Sequence, residues 1–196
     1  LRKSCLKDSR MGKRYLNKVF PAEFSEHIQR GGKILDAGCS WGRFGAILSK
    51  HGCNVYGIDP FLAQLPYWVR ISKENASAHF IAADAQKIPF QSGIFDSCIM
   101  VGVLEFIPDD RLFFSELKRV LNPGALFLLQ VTNRHSPYTR FTGRWIHKEY
   151  KRCYTLDEIS QILKDHGFLI KSISGEGLKL PFLNTFFAIC TPYFRT

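Results

Sequence analysis

No apolar run in this chain approaches the roughly 20 residues that a membrane-crossing helix needs. Its first residues, "LRKSCLKDSRMGKR", lack the apolar stretch at the heart of a secretory signal. The six cysteines (Cys5, Cys39, Cys53, Cys98, Cys153, Cys190) form no C-x-x-C pair, and the six histidines show no H-E-x-x-H or similar spacing. A zinc or dithiol motif is thereby unsupported, and the expectation is no metal. With no secretory signature, the thiols are expected to stay reduced and to pack as small apolar groups. Together these absences point to a cytoplasmic protein. An initiating Met is also missing, as expected of a processed or excised piece.

What is present suits an ordinary globular domain: 45% hydrophobic and 22% charged residues in 196, enough chain to bury a real core as one domain spanning 1–196. The net charge of +10 is unevenly spread. Residues 1–19 carry seven Lys/Arg against Asp8, a balance of +6, inside a basic N-terminal segment (1–30) expected to be helical. Residues 132–152 carry six Lys/Arg against Glu149, a balance of +5, and the remainder is close to neutral. Such segments suit a phosphate, a carboxylate, nucleic acid or an anionic membrane, and equally a solvated surface.

Short apolar runs alternate with helical patterns. "KILDAG" (33–38), "NVYGID" (54–59), "AHFIAAD" (78–84), "IFDSCIMVG" (94–102) and "ALFLLQV" (125–131) read as buried strands. A helix is expected over about 42–51. Another has Pro108 in its first turn, with Leu112, Phe113, Leu117, Val120 and Leu121 as its buried stripe and "NPG" (122–124) as its stop. Thr155 and Glu158 fit a capping box that opens a further helix. "FLIKSIS" (168–174) and "TFFAIC" (185–190) follow as two strands without an obvious helix between them, hence an antiparallel pair. The order reads as five β-α repeats, one more helix and a terminal hairpin. That predicts an α/β fold: a doubly wound, Rossmann-like, mostly parallel seven-stranded sheet with helices on both faces. Residues 132–154 show little periodicity and form an expected insertion or lid.

In such a sheet, ligands sit beyond the carboxyl ends of the strands. Three successive strands there end in an acid: Asp36, Asp59 and Asp84. Asp59 follows Asp36 by 23 residues, the place for a carboxylate that accepts both hydroxyls of a ribose, and Asp84 could accept from an adenine amino group. Each acid alone would also serve as a helix N-cap. The glycines after Asp36 fall as G-x-x-x-G-x-x-G (Gly38, Gly42, Gly45), with Ser40 two residues after the first. A dinucleotide fingerprint needs G-x-G-x-x-G, and a P-loop needs G-K-[ST]; neither is present. An acid in front of the glycines is badly placed for a pyrophosphate and well placed for a cation. An adenosine that bears a positive charge and no phosphate is S-adenosylmethionine.

On these residues the chain resembles a class I S-adenosylmethionine-dependent methyltransferase. "ILDAGCSWG" is similar to the family's first motif, D-x-G-x-G-x-G, with Ser40 in place of the middle glycine. "VYGID" resembles the second motif, "AADAQKIPFQSGIFDSCIMVGVLEFIPD" the third and fourth, and "LKRVLNPGALFLL" the helix and strand that follow. "YTLDEISQILKDHGF" has the form seen in small-molecule methyltransferases of the quinone-biosynthesis type. The resemblance covers about residues 33–174 and implies S-adenosylmethionine as cofactor. Asp36, Ala37, Gly38 and Cys39 would border its methionine part, with Ser40 and Gly42 completing the loop. Asp59 with Pro60 would hold the ribose, Asp84 with Ala85 would read the adenine, and Val101 and Gly102 would line the site.

A sulfonium is already an activated donor, so a base is needed only for acceptors that lose a proton. His135 and Tyr138 after the fifth strand and Glu105 after the fourth are the catalytic candidates; His147 lies in the insertion. "VGVLEF" after the fourth strand does not resemble the Asn/Asp-Pro-Pro-aromatic sequence of exocyclic-amino methyltransferases, and Cys98 lies inside its strand rather than beside a Pro. The expected partner is therefore a small-molecule acceptor, anionic, aromatic or lipid-like, given the Arg, Tyr, Phe and Trp of the insertion. RNA or protein as acceptor, and a non-catalytic cofactor-binding domain, stay open. The sequence carries no indication of oligomeric state.

Overall fold

A computed structural model describes residues 22–135, 152–176 and 185–192. In chain order the elements are α1 (Ala22–His27), β1 (Lys33–Ala37), α2 (Arg43–Lys50), β2 (Asn54–Asp59), a 3-10 turn (Leu62–Gln64), α3 (Leu65–Glu74), β3 (Ala78–Ala82) and β4 (Phe95–Val101). A second 3-10 turn (Leu104–Phe106), α4 (Asp110–Val120), β5 (Leu121–Thr132), α5 (Leu156–Asp165), β6 (Phe168–Glu176) and β7 (Thr185–Pro192) complete it. Across the sheet the strand order is β3-β2-β1-β4-β5-β7-β6. The first five run parallel, and β7 is antiparallel to both its neighbours. This is a Rossmann-like α/β fold on a parallel sheet.

The strands are apolar on both sides because both sides are covered. Ile34, Val55, Ile99, Leu126 and Leu128 pack under Phe24 of α1 and Leu48 of α2. Leu35, Ile58, Cys98, Met100, Phe127 and Leu129 meet Phe113, Phe114 and Leu117 of α4 and Ile159 and Leu163 of α5 on the other face. Cys39, Cys53 and Cys98 are buried and free, consistent with the small apolar role expected of them.

Several details depart from the sequence reading. The β-α alternation breaks between β3 and β4, where residues 83–94 form no helix. Pro89 and Gly93 interrupt any helical run there, and α4 holds the segment instead. Arg119 donates to the carbonyls of Phe90 and Ile88 (2.7 and 2.9 Å) while paired to Glu116, whose Oε2 accepts from the Ile88 N–H. β3 stops at Ala82, so Asp84 lies two residues past the strand. Pro108 lies before α4 rather than in its first turn. Asp109 is the N-cap, accepting from the N–H groups of Arg111 and Leu112. Leu112 is exposed, and Phe114 takes its place in the buried stripe. "NPG" lies within the span of β5. The capping box of α5 forms as read, with Thr155 and Glu158 bonding reciprocally. Residues 1–21 and Tyr138 and His147 of the insertion fall outside the described residues.

Candidate active site

The carboxyl ends of β1, β2 and β4 come level at one edge of the sheet. Ala37 is in register with Ile58, Asp36 with Gly57, and Asp36 with Ile99. The chain leaves β1 through Gly38, whose φ of 79° is left-handed and whose missing Cβ would collide with a Val103 methyl. Only glycine meets both conditions. The N–H groups of Gly38 and Cys39 then both donate to the Ile58 carbonyl (2.8 and 3.0 Å), pinning the loop onto the end of β2.

Asp59 completes that anchorage. Its Oδ2 accepts from the Ser40 N–H and its Oδ1 from the Phe61 N–H, both at 3.0 Å. Ser40 has a φ of 46°, so a residue with a side chain occupies a backbone region that favours glycine. The Trp68 indole, donating to the Ser40 carbonyl at 2.7 Å, fixes that conformation from α3. A Ser in place of the middle glycine is therefore accommodated by two bonds to its own peptide groups.

Asp36 is the most unusual group here. It is 2% exposed, and its Oδ2 has no hydrogen-bond partner. Burial, helped by the negative charge of Asp59, pushes its carboxyl up to about 8. The same carboxylates and burial push the Cys39 thiol far above its usual range, leaving it protonated and unreactive. A buried carboxyl oxygen without a donor is an invitation to a cation.

Gly42 is the N-cap of α2 with φ 77°, and a Cβ there would meet Phe80 and Ile71 at 2.8 and 2.9 Å. Gly45 and Gly57 are pressed by the same Phe80 ring, at 2.7 and 2.6 Å. Those three positions have to be glycine so that α2, β2 and β3 close around one aromatic side chain, whatever ligand the loop holds. Asp84 is exposed and engaged by Gln86, which donates to it from its backbone N–H (2.8 Å) and its amide nitrogen (3.0 and 3.2 Å). The Gln86 side-chain amide oxygen (Oε1) in turn accepts from the Asp109 N–H. Ala85 is buried, Pro60 exposed, Val101 half-buried, and Gly102 has φ 64° and its N–H bonded to the Gln130 carbonyl.

The three catalytic candidates part company. Glu105 is fully buried, and its Oε1 accepts from the Thr132 N–H at 2.7 Å. It braces the loop after β4 against the end of β5. His135 is exposed just beyond β5, its N–H held by buried Asn133. Tyr138 is outside the described residues. The two ends of the insertion meet at β5, where Asn133 bridges Tyr154 and the Tyr154 hydroxyl donates to the Leu104 carbonyl. Arg134 and Arg152 fasten them to Glu158 and Asp110. Sequence reasoning missed Trp68, Phe80 and Val103, since each acts through a partner far away in the chain, and Gln86, whose side chain is set between nearby Asp84 and distant Asp109. The crowding of three glycines onto one ring has no linear signature.

Residues 35–129 match a family model described as a methyltransferase domain. Among curated proteins, the ubiquinone biosynthesis O-methyltransferase of Dinoroseobacter shibae is 22% identical over 78% of this chain and 68% of its own length. The 2-methyl-6-phytyl-1,4-hydroquinone methyltransferase of Synechocystis is 32% identical over 53% of this chain. The chain spans only 33% of that second relative. A methyltransferase structure from Methanosarcina mazei, described as S-adenosylmethionine-dependent, superposes with a TM-score of 0.75 at 21% identity, covering 90% of this chain and 99% of the other.

Proposed function

Since the chain carries a class I S-adenosylmethionine-dependent methyltransferase domain, we propose that it transfers a methyl group to a small-molecule acceptor, planar or lipid-like, of the kind two of its relatives' names indicate. The observation that carries the reading is the Asp36 oxygen, buried without a partner beside Asp59 and just ahead of a loop with no phosphate-binding glycine pattern. That environment fits a cationic nucleoside and does not fit a pyrophosphate.

Bound S-adenosylmethionine would supply a methyl on a sulfonium, an electrophile that needs no further activation. The chain's own part is placement. Asp36 would balance positive charge at the loop formed by Ala37, Gly38, Cys39 and Ser40. Asp59 retains acceptor capacity beyond its two backbone bonds and would take the ribose hydroxyls, with Pro60 alongside. Asp84 and Ala85 would read the adenine, with Gln86 setting the Asp84 carboxylate, and Val101 and Gly102 would border the donor. The acceptor is expected past β5, near residues 132–154. His135 would remove a proton there if the acceptor is a hydroxyl, with Tyr138 as the second candidate. Glu105 would support this edge from inside.

Calorimetric titration with S-adenosylmethionine tests the cofactor assignment. The wild type is expected to bind and Asp59→Ala to bind on the order of 100-fold more weakly, having lost both its ribose acceptor and its hold on Ser40. No binding by the wild type overturns the proposal. Radiolabelled methyl transfer to cell extract is expected to label the lipid or small-molecule fraction rather than RNA or protein.

A further inference from the structure

Six of the twelve exposed large hydrophobic side chains among the described residues lie in one short region: Trp41, Phe61, Leu62, Leu65, Tyr67 and Val69. Phe61 and Leu62 are 68% and 63% exposed at the tip of a 3-10 turn. α3 buries Trp68 and Ile71 on its inner side and turns Arg70, Lys73 and Glu74 outward, yet Leu65 and Val69 on one flank and Tyr67 on the other stay exposed. That is more apolar surface than a helix of this length normally leaves in water. Trp41 and Tyr67 meet edge to face with centroids 4.4 Å apart, and the Arg70 guanidinium lies 5.7 Å from the Tyr67 ring. Between α2 and α3 they wall a cleft of about 530 Å³ that Arg43, Lys50, Arg70 and Glu74 share. With exposed Lys73 nearby on α3, the patch carries four cations against one acid.

We propose that this face, the Phe61–Leu62 turn with the outer side of α3 and the cationic cleft beside it, docks the protein on an anionic phospholipid bilayer. Two features together select that occupant. A second copy of the chain would bring the four cations against themselves across a two-fold contact. Residues 1–19 carry a balance of +6 and would be repelled by the same charges. A nucleic acid would satisfy the cations and leave the aliphatic ridge of Leu62, Leu65 and Val69 in water. An anionic membrane takes both: the ridge enters the acyl boundary while arginine and lysine reach headgroup phosphates. The patch begins at the rim of the candidate site, because Trp41 follows Ser40, and Phe61, whose N–H is held by Asp59, opens the turn. A docked protein would thus hold the mouth of its cofactor loop near the lipid surface.

The test is co-sedimentation of the full chain with vesicles of phosphatidylcholine alone and of phosphatidylcholine mixed with phosphatidylglycerol, without cofactor or acceptor, so that the outcome is separate from any methyl transfer. Binding is expected only to the mixed vesicles and should weaken as salt is raised. Phe61→Ser/Leu62→Ser is expected to abolish it. Arg70→Glu/Lys73→Glu should reduce it by at least thirtyfold, on the order of 1 kcal/mol per basic residue removed. Leu112→Ser, an exposed position on α4, should bind like wild type, and unchanged thermal melts identify folded variants. The proposal is overturned if the wild type does not bind mixed vesicles, if it binds neutral vesicles equally, or if both double variants keep wild-type binding. The last result would move the contact to the basic terminus or the insertion. A wild type that dimerises through this face, with the dimer lost in Phe61→Ser/Leu62→Ser, overturns it as well.

Discussion

Asp36 keeps an acid where the fold offers it no partner, and that has a measurable cost. Its carboxyl is raised to about 8 in the folded protein, against an ordinary value near 3.8. The folded state therefore holds a proton that the unfolded chain releases. Stability is expected to fall as pH rises from about 4 to about 8, and to level off above that. Asp36→Asn removes this slope and should melt higher than wild type at pH 8, on the order of 10 °C. A cation bound beside the carboxylate reverses the balance. Affinity for S-adenosylmethionine in the wild type, measured relative to Asp36→Asn, should climb with pH up to about 8, by as much as about tenfold per unit. A melt and a titration at three pH values check both. The acid itself was legible in the sequence, because it ends an apolar run and precedes glycines. Its lack of a partner was not, since that depends on which groups β2 and β4 bring alongside.

The elements that announced themselves were those with local instructions. Thr155 and Glu158 cap α5 through bonds that span three residues, and both ends of that box are visible in the chain. The segment between β3 and β4 is the opposite case. Its conformation is set by Arg119, 29 residues beyond Phe90, and no local pattern in 83–94 reveals that. Arg119→Ala should cost about 1–2 kcal/mol in urea unfolding. It should also raise amide exchange in residues 86–90 well before global unfolding, since two carbonyls and Glu116 lose their donor. Equal protection of this segment in variant and wild type would show that packing alone holds it. α3 escaped a clear reading for a related reason. Its polar face, Arg70, Lys73 and Glu74, is confined to the second half, and its inner pair, Trp68 and Ile71, serves the glycine loop through Ser40 and Phe80.

For the molecule as a whole, the parallel half was written in the alternation of apolar runs and acids, and the site follows from the register of β1, β2 and β4. The other half of the sheet is joined differently. β7 lies between β5 and β6, bonded to both, although β6 precedes it in the chain. Removing Thr185 onward should leave β6 without a strand neighbour and expose the edge of β5. The expected outcome is a chain that is cleaved by low protease within β6 and that aggregates through β5. During synthesis the same arrangement imposes a waiting period. β1 to β5 can assemble as they leave the ribosome, whereas β6 emerges before the strand that joins it to β5 has been made, with Phe168 and α5 to hold it to the core. The edge of β5 has to be kept from finding another chain in the meantime, so a pause in translation between β6 and β7 is expected to lower the yield of folded protein.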